Sequence, residues 1–109
     1  MIREKILNLT RQEVPHAVAV QVDQWEEKPR LTRVAATIFV ERPGQKGIVI
    51  GAGGSMLKRV GTEARQDMEA FFGRKFFLEL HVKVRPAWRE SPEFLNELDW
   101  RGMAGVEHD

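Results

Sequence analysis

The chain has 109 residues, 42% of them hydrophobic and three of them tryptophan, enough for one packed core and too few for two independent ones. It contains no cysteine, which excludes disulfides and thiolate metal sites and fits a reducing compartment. Neither a membrane-length apolar run nor a signal-peptide pattern occurs, and the net charge of +1 is unevenly spread along the chain.

Residues 1–13 predict an amphipathic helix, with Ile2, Ile6 and Leu9 on one face and Arg3, Glu4, Lys5 and Arg11 on the other. The Val14-Pro15 step stops it, since the residue before a proline is pushed away from helical angles. From Ala17 to Trp25 the residues alternate, Val18, Val20 and Val22 against Ala19, Gln21 and Asp23, as in a half-buried strand. Glu26 to Arg30 reads as a polar hairpin loop. A second strand follows from Leu31 to Arg42, rich in β-branched residues, and Pro43-Gly44 breaks it. Periodicity leaves Lys46 to Ile50 open between strand and helix. Ser55 to Phe72 carries the strongest helical signal, with Met56, Val60, Ala64 and Met68 every four residues and Gly73 as a C-cap. A third strand spans Lys75 to Arg85, ended by Pro86. Glu93 to Trp100 suits a short acidic helix, and the chain frays from Gly102.

The stretch Gly51-Ala52-Gly53-Gly54 joins the ambiguous apolar run to the long helix. Glycines clustered at a helix start permit positive φ and close approach, and they aim N–H groups and the positive end of the helix dipole at one point. A phosphate is the natural guest. A P-loop is excluded, because no Gly-Lys-Ser or Gly-Lys-Thr occurs. A dinucleotide fingerprint fails because Met56 stands where its third glycine belongs. Between Gly44 and Gly61 the charged residues are Lys46, Lys58 and Arg59, with no acid, a local basic field suited to a polyanion. Residues 91–109, by contrast, carry Glu93, Glu97, Asp99, Glu107 and Asp109 against Arg101 alone.

Val49-Ile50-Gly51-Ala52-Gly53-Gly54 followed by Leu57-Lys58 and Val60 resembles the G-x-x-G signature of a KH domain, whose loop clamps a nucleic-acid backbone. Further blocks are similar to the C-terminal KH domain of the bacterial Era GTPase family. These are Ile2 to Lys5, Leu9 to His16, Phe39 to Arg42, Gln45 to Gly51, Ala64 to Met68, and Leu78 to Val84 before Trp88. The resemblance runs from Met1 to about Trp88 and implies that residues 46–50 are helical. The fold it implies is an α+β two-layer sandwich of type II KH topology (α-β-β-α-α-β). A three-stranded sheet is covered by helices on one face, with a KH domain over 1–90 and an acidic extension over 91–109. The implied function is binding of single-stranded RNA, near the 3′ end of small-subunit ribosomal RNA, during ribosome assembly.

In that reading Gly51, Ala52, Gly53, Gly54 and Ser55 hold phosphates, and Lys46, Lys58 and Arg59 supply flanking charge. Ile48, Ile50 and Leu57 wall an apolar groove with Phe39 or Val40 from the second strand. Loops of the family carry a basic or polar residue at the middle positions, where this chain has Ala52 and Gly53. A charge-assisted contact of about 1 kcal/mol is thereby missing. The resemblance further implies an upstream GTPase domain not contained in these residues, so the chain is expected to be an excised, non-enzymatic, monomeric part of a longer protein. It also implies a cytoplasmic location with peripheral association at the inner membrane face. No cofactor is expected, and His16, His81 and His108 lack the spacing of metal ligands. Three other readings compete. The glycines can be a tight helix–helix turn over ordinary core, the sandwich or acidic terminus can dock a protein, or the loop can serve an enzyme acting on a phosphate ester. The last lacks an identifiable acid or base.

Overall fold

The computed structural model describes residues 1–10 and 18–104, with side chains up to residue 98. The elements are α1 (Ile2–Thr10), β1 (Val18–Glu27), β2 (Leu31–Val40), α2 (Pro43–Ile50), α3 (Ser55–Phe72), β3 (Lys75–Val84) and α4 (Pro92–Ala104). One 3₁₀ turn, Ala52–Gly54, joins α2 to α3, and another, Trp88–Glu90, precedes α4. The sheet order is β1-β2-β3. The short β1–β2 loop makes that pair antiparallel, whereas the α2–α3 crossover returns β3 parallel to β2. This is the expected α+β sandwich with the element order of a type II KH domain. Among the described residues no helix is long and apolar enough to cross a membrane.

Strand alternation sorts the side chains onto two faces. On one face Val18, Val34, Ala36, Ile38 and Val40 meet Ile2 and Ile6 of α1, Val49 of α2, and Val60, Ala64 and Met68 of α3. A register shift between Val22 and Gln24 inserts Asp23 as a bulge. The extra residue flips the phase of β1, so Trp25 joins that core and packs edge-on against Phe72 and Phe76. The hydroxyl of Thr37 donates to the Asp23 carboxylate at 2.5 Å. At the outer surface Lys5 of α1 reaches Asp67 at 3.0 Å and Glu63 at 3.7 Å on α3.

α4, unplaced by its sequence pattern, covers part of the opposite face. Ala19, Phe39, Trp88 and Phe94 form a second cluster there, and the Gln21 amide donates to Glu97 at 3.1 Å. Ser91 starts the helix by accepting the Phe94 N–H on its hydroxyl, and Pro92 occupies the first position, where its missing N–H costs nothing.

Several boundaries depart from expectation. β1 continues through Glu27, because Glu26 and Glu27 pair with Arg33 and Thr32; the loop is only Lys28 to Arg30. Pro43-Gly44 opens α2 instead of merely breaking the strand. Arg42 is extended ahead of it, and the Gln45 side chain accepts the N–H groups of Glu41 and Arg42, both at 3.0 Å. α4 continues past Gly102 to Ala104. The Val14-Pro15 stop, the Ala17 strand start, His16 and His108 lie outside the described residues.

Candidate nucleic-acid interface

The loop between α2 and α3 has a backbone that only glycine tolerates at its first position. Gly51 sits at φ 75°, ψ 173°, and a Cβ there would fall 2.7 Å from Met56 Cβ and 2.8 Å from Met56 N. Gly53 and Gly54 are left-handed at φ 61° and 80°. The Gly51, Gly54 and Ser55 N–H groups are used internally, donating to the carbonyls of Gly47, Gly51 and Ala52. Among the described residues those of Ala52 and Gly53 make no hydrogen bond within the chain. Both residues are exposed. Two free donors at the start of an 18-residue helix are an anion-binding geometry.

Behind the loop runs a cleft of about 400 Å³, lined by Gly54 at the end of the 3₁₀ turn, by Leu57, Lys58, Gly61, Thr62 and Arg65 on α3 and by Leu78 and Leu80 on β3. The helical residues recur every three or four positions, one stripe of an α-helix. Gly61 is the floor, where a Cβ would stand 3.8 Å from Leu80 Cδ1. β3 is an edge strand. The Arg85 N–H donates to Val40 of β2, whereas the Phe76 N–H turns outward to Glu69. Backbone direction alternates along a strand, so the N–H and C=O groups of Leu78, Leu80 and Val82 face the open edge. The cleft therefore combines a mouth with free backbone N–H donors, apolar walls and an edge strand that pairs with no further strand among the described residues.

The expected site residues are partly gathered here. Gly51 to Ser55 form the mouth, and Leu57 and Lys58 line the cleft. Lys46, Ile48 and Ile50 are half-buried on α2, and Ile48 packs against the main core. Phe39 is corrected: odd-numbered β2 residues point away from the helices, and Phe39 is 9% exposed beneath α4, 4.9 Å from the Phe94 ring. Val40 is fully buried in the main core, so the strand wall belongs to β3. Arg59 is turned about 130° around α3 from the middle of the stripe and pairs with Glu63 at 2.9 Å. Gly61, Thr62, Arg65, Leu78 and Leu80 escaped the sequence reading. The signal for the first three was their spacing of seven, eight and eleven residues from Gly54; Leu78 and Leu80 read simply as core alternation.

Arg65 and Glu69 tie the cleft wall to the edge strand. Glu69 Oε2 accepts from Arg65 Nη1 at 3.1 Å and from the Phe76 N–H at 3.0 Å. The Phe76 N–H, more than Arg65, holds the Glu69 carboxyl below its ordinary value of 4.5. A carboxyl depressed in the fold stabilises it above the unfolded pKa, and that contribution is lost as pH falls through the lower folded value. In thermal melts the margin of the parent over Glu69→Gln is therefore expected to be full above the ordinary carboxyl range and to narrow as pH falls through the lowered folded value.

Gly61 gives a second expectation. An alanine is a better helix former by about 1 kcal/mol, and its methyl meets only an ordinary contact with Leu80. Gly61→Ala is expected to raise Tm by a few degrees while occupying the cleft floor, so stability rises and ligand affinity falls. Parallel melts and titrations check it.

A loop of this geometry beside an open cleft, on this topology, defines a KH domain. The KH domain family model matches residues 13–89, and the chain belongs to that family. Within it, the similarity is to GTPase Era. The Era of Nostoc sp. is 56% identical over 101 residues, covering 93% of this chain and 31% of the relative. That of Heliobacterium modesticaldum is 54% identical over 96 residues, 87% of this chain and 32% of the relative. Among solved structures, a variant of Aquifex aeolicus Era bound to GDP·AlF4− superposes with a TM-score of 0.86 at 39% identity, over 91% of this chain and 34% of that one. Era in complex with MgGDPNP and nucleotides 1506–1542 of 16S ribosomal RNA gives 0.85 at 39% identity over the same shares. The chain thus spans about a third of the length of these relatives.

Proposed function

We propose that the chain binds single-stranded RNA, with the Gly51–Gly54 loop on the phosphates and the bases laid along the cleft between α3 and β3. The observation that carries this reading is the pair of unengaged donors at Ala52 and Gly53 at the mouth of that cleft. From Gly54 to Arg65 the α3 wall runs about 16 Å, in keeping with the four or so nucleotides a KH loop clamps. Bases in a duplex are stacked and paired, whereas the apolar walls and open strand edge require a splayed strand.

The Era complex with 16S ribosomal RNA supports small-subunit ribosomal RNA, near its 3′ end, as the target, and assembly of that subunit in the cytoplasm as the setting. On this reading the chain is the RNA-binding part of an Era-like protein, and GTP hydrolysis belongs to segments outside these 109 residues, which hold no P-loop lysine. Amide chemical-shift mapping tests the site. Titration with a single-stranded 3′-terminal RNA is expected to move Ala52, Gly53, Thr62, Leu78 and Leu80 and to leave Phe39, Phe77 and Trp88 in place. Shifts concentrated on α4 or on the Phe77 face would overturn the placement.

A further inference from the structure

We propose that Arg65 forms a base-reading subsite at the end of the cleft away from the glycine loop, selecting a nucleobase with two adjacent hydrogen-bond acceptors. Guanine and cytosine qualify; adenine and uracil do not. The inference rests on the RNA-binding reading and adds to it which base the far end accepts.

Geometry carries the argument. Arg65 lies on the same α3 stripe as Gly54, Leu57, Lys58, Gly61 and Thr62 and lines the cleft, eleven residues beyond the phosphate-binding mouth. A strand whose backbone is held at the loop brings its last bases there. The side chain is 37% exposed, so it is open to a ligand yet partly fixed by its surroundings. Its fixation is specific: Nη1 donates to Glu69 Oε2 at 3.1 Å, and that oxygen is itself anchored by the Phe76 N–H at the start of β3. The two walls of the cleft therefore meet at this carboxylate. Glu69 is a positioning residue, and the depressed pKa of its carboxyl keeps the anchor charged.

With Nη1 engaged, the guanidinium presents Nε and Nη2, which make no hydrogen bond to the described residues. These parallel donors form a rigid fork that matches two neighbouring acceptors. Guanine offers O6 and N7, and an unpaired cytosine offers O2 and N3. Adenine and uracil alternate donor and acceptor along their edges, so either leaves one arm of the fork unmatched. Discrimination by a bidentate arginine corresponds to a factor of about ten or more. Arg59, by contrast, donates from Nε to Glu63 and lies off the cleft stripe on the other side of α3.

The test is titration of the chain with tetranucleotides in which each terminal base is varied through all four. The parent, Arg65→Met, Arg65→Lys and Glu69→Gln are compared, with melting temperatures measured alongside. The parent is expected to prefer guanine or cytosine about tenfold at one terminus. Arg65→Met is expected to bring all four bases within about twofold. Arg65→Lys, which keeps the charge but not the planar fork, is expected to hold overall affinity and lose the preference. Glu69→Gln is expected to weaken the preference. A preference that survives Arg65→Met overturns the subsite. So does a uniform loss across all sequences with a shallower salt dependence, which identifies a phosphate contact instead. A parent that binds strands without any terminal preference overturns the subsite alone, whereas a parent that binds no strand overturns the RNA-binding reading together with it.

Discussion

Gly51→Ala is expected to lower Tm by roughly 15 °C, a loss of about 3 kcal/mol in a domain of this size. Two independent penalties add. The backbone at φ 75°, ψ 173° lies in a region that only glycine occupies readily. The new methyl would also meet Met56 Cβ at 2.7 Å and Met56 N at 2.8 Å, and the second of these atoms is backbone of the first turn of α3 and cannot rotate away. Gly53→Ala is the control. Its φ of 61° is left-handed too, but nothing lies within 4 Å of the added Cβ, so the cost is about 1–2 kcal/mol. Thermal or denaturant unfolding of the two variants separates steric need from backbone freedom. Equal melting temperatures would mean that α2 and α3 are not held in the close apposition described.

Replacing both Ala52 and Gly53 by aspartate is expected to reduce RNA affinity by at least about tenfold with little change in stability. Two carboxylates within about 5 Å of a phosphate row repel it by roughly 1–3 kcal/mol each. The fold has little reason to object. Ala52 is exposed, aspartate is among the side chains that visit the left-handed region of Gly53, and both new charges sit favourably at the positive end of α3. Ala52→Lys is the converse, supplying the charge-assisted contact this loop lacks. It is expected to tighten binding a few-fold and to steepen the salt dependence. Binding titrations at matched ionic strength, with melts of the same samples, decide between a clamp and a turn. Full affinity in a stably folded double aspartate variant would exclude the loop as the phosphate site.

Much of this arrangement was legible in the sequence because local rules and global packing agree. The four-residue recurrence from Met56 to Met68 fixed α3, the alternation of β3 fixed its core face, and the glycines fixed the loop. The errors have definite physical causes. Alternation places Val18 and Ala19 on opposite faces but cannot say that a distant helix covers the second one, so nothing local marks Phe39 as buried beneath α4 and not open to the groove. An inserted residue such as Asp23 reverses the phase of a strand without any mark in the hydrophobic pattern. Pro43 reads as a strand breaker and as a first helical residue with equal right, and the Gln45 side chain reaching back to Arg42 decides it. The strand wall of the cleft is not legible locally, because the parallel placement of β3 depends on the crossover through α2 and α3, a tertiary fact. Leu78 and Leu80 look in sequence like any other core pair.

In the proposed function a single strand, read partly through its bases, occupies the cleft. Fluorescence anisotropy with the labelled 3′-terminal segment of small-subunit ribosomal RNA, a scrambled strand of the same composition and the matching duplex, each at two salt concentrations, addresses it directly. Tightest binding to the authentic single strand is expected, with a preference that persists as salt rises, because apolar walls and strand-edge hydrogen bonds are not screened. Equal binding to all three that collapses together with salt would contradict it and leave only a basic surface.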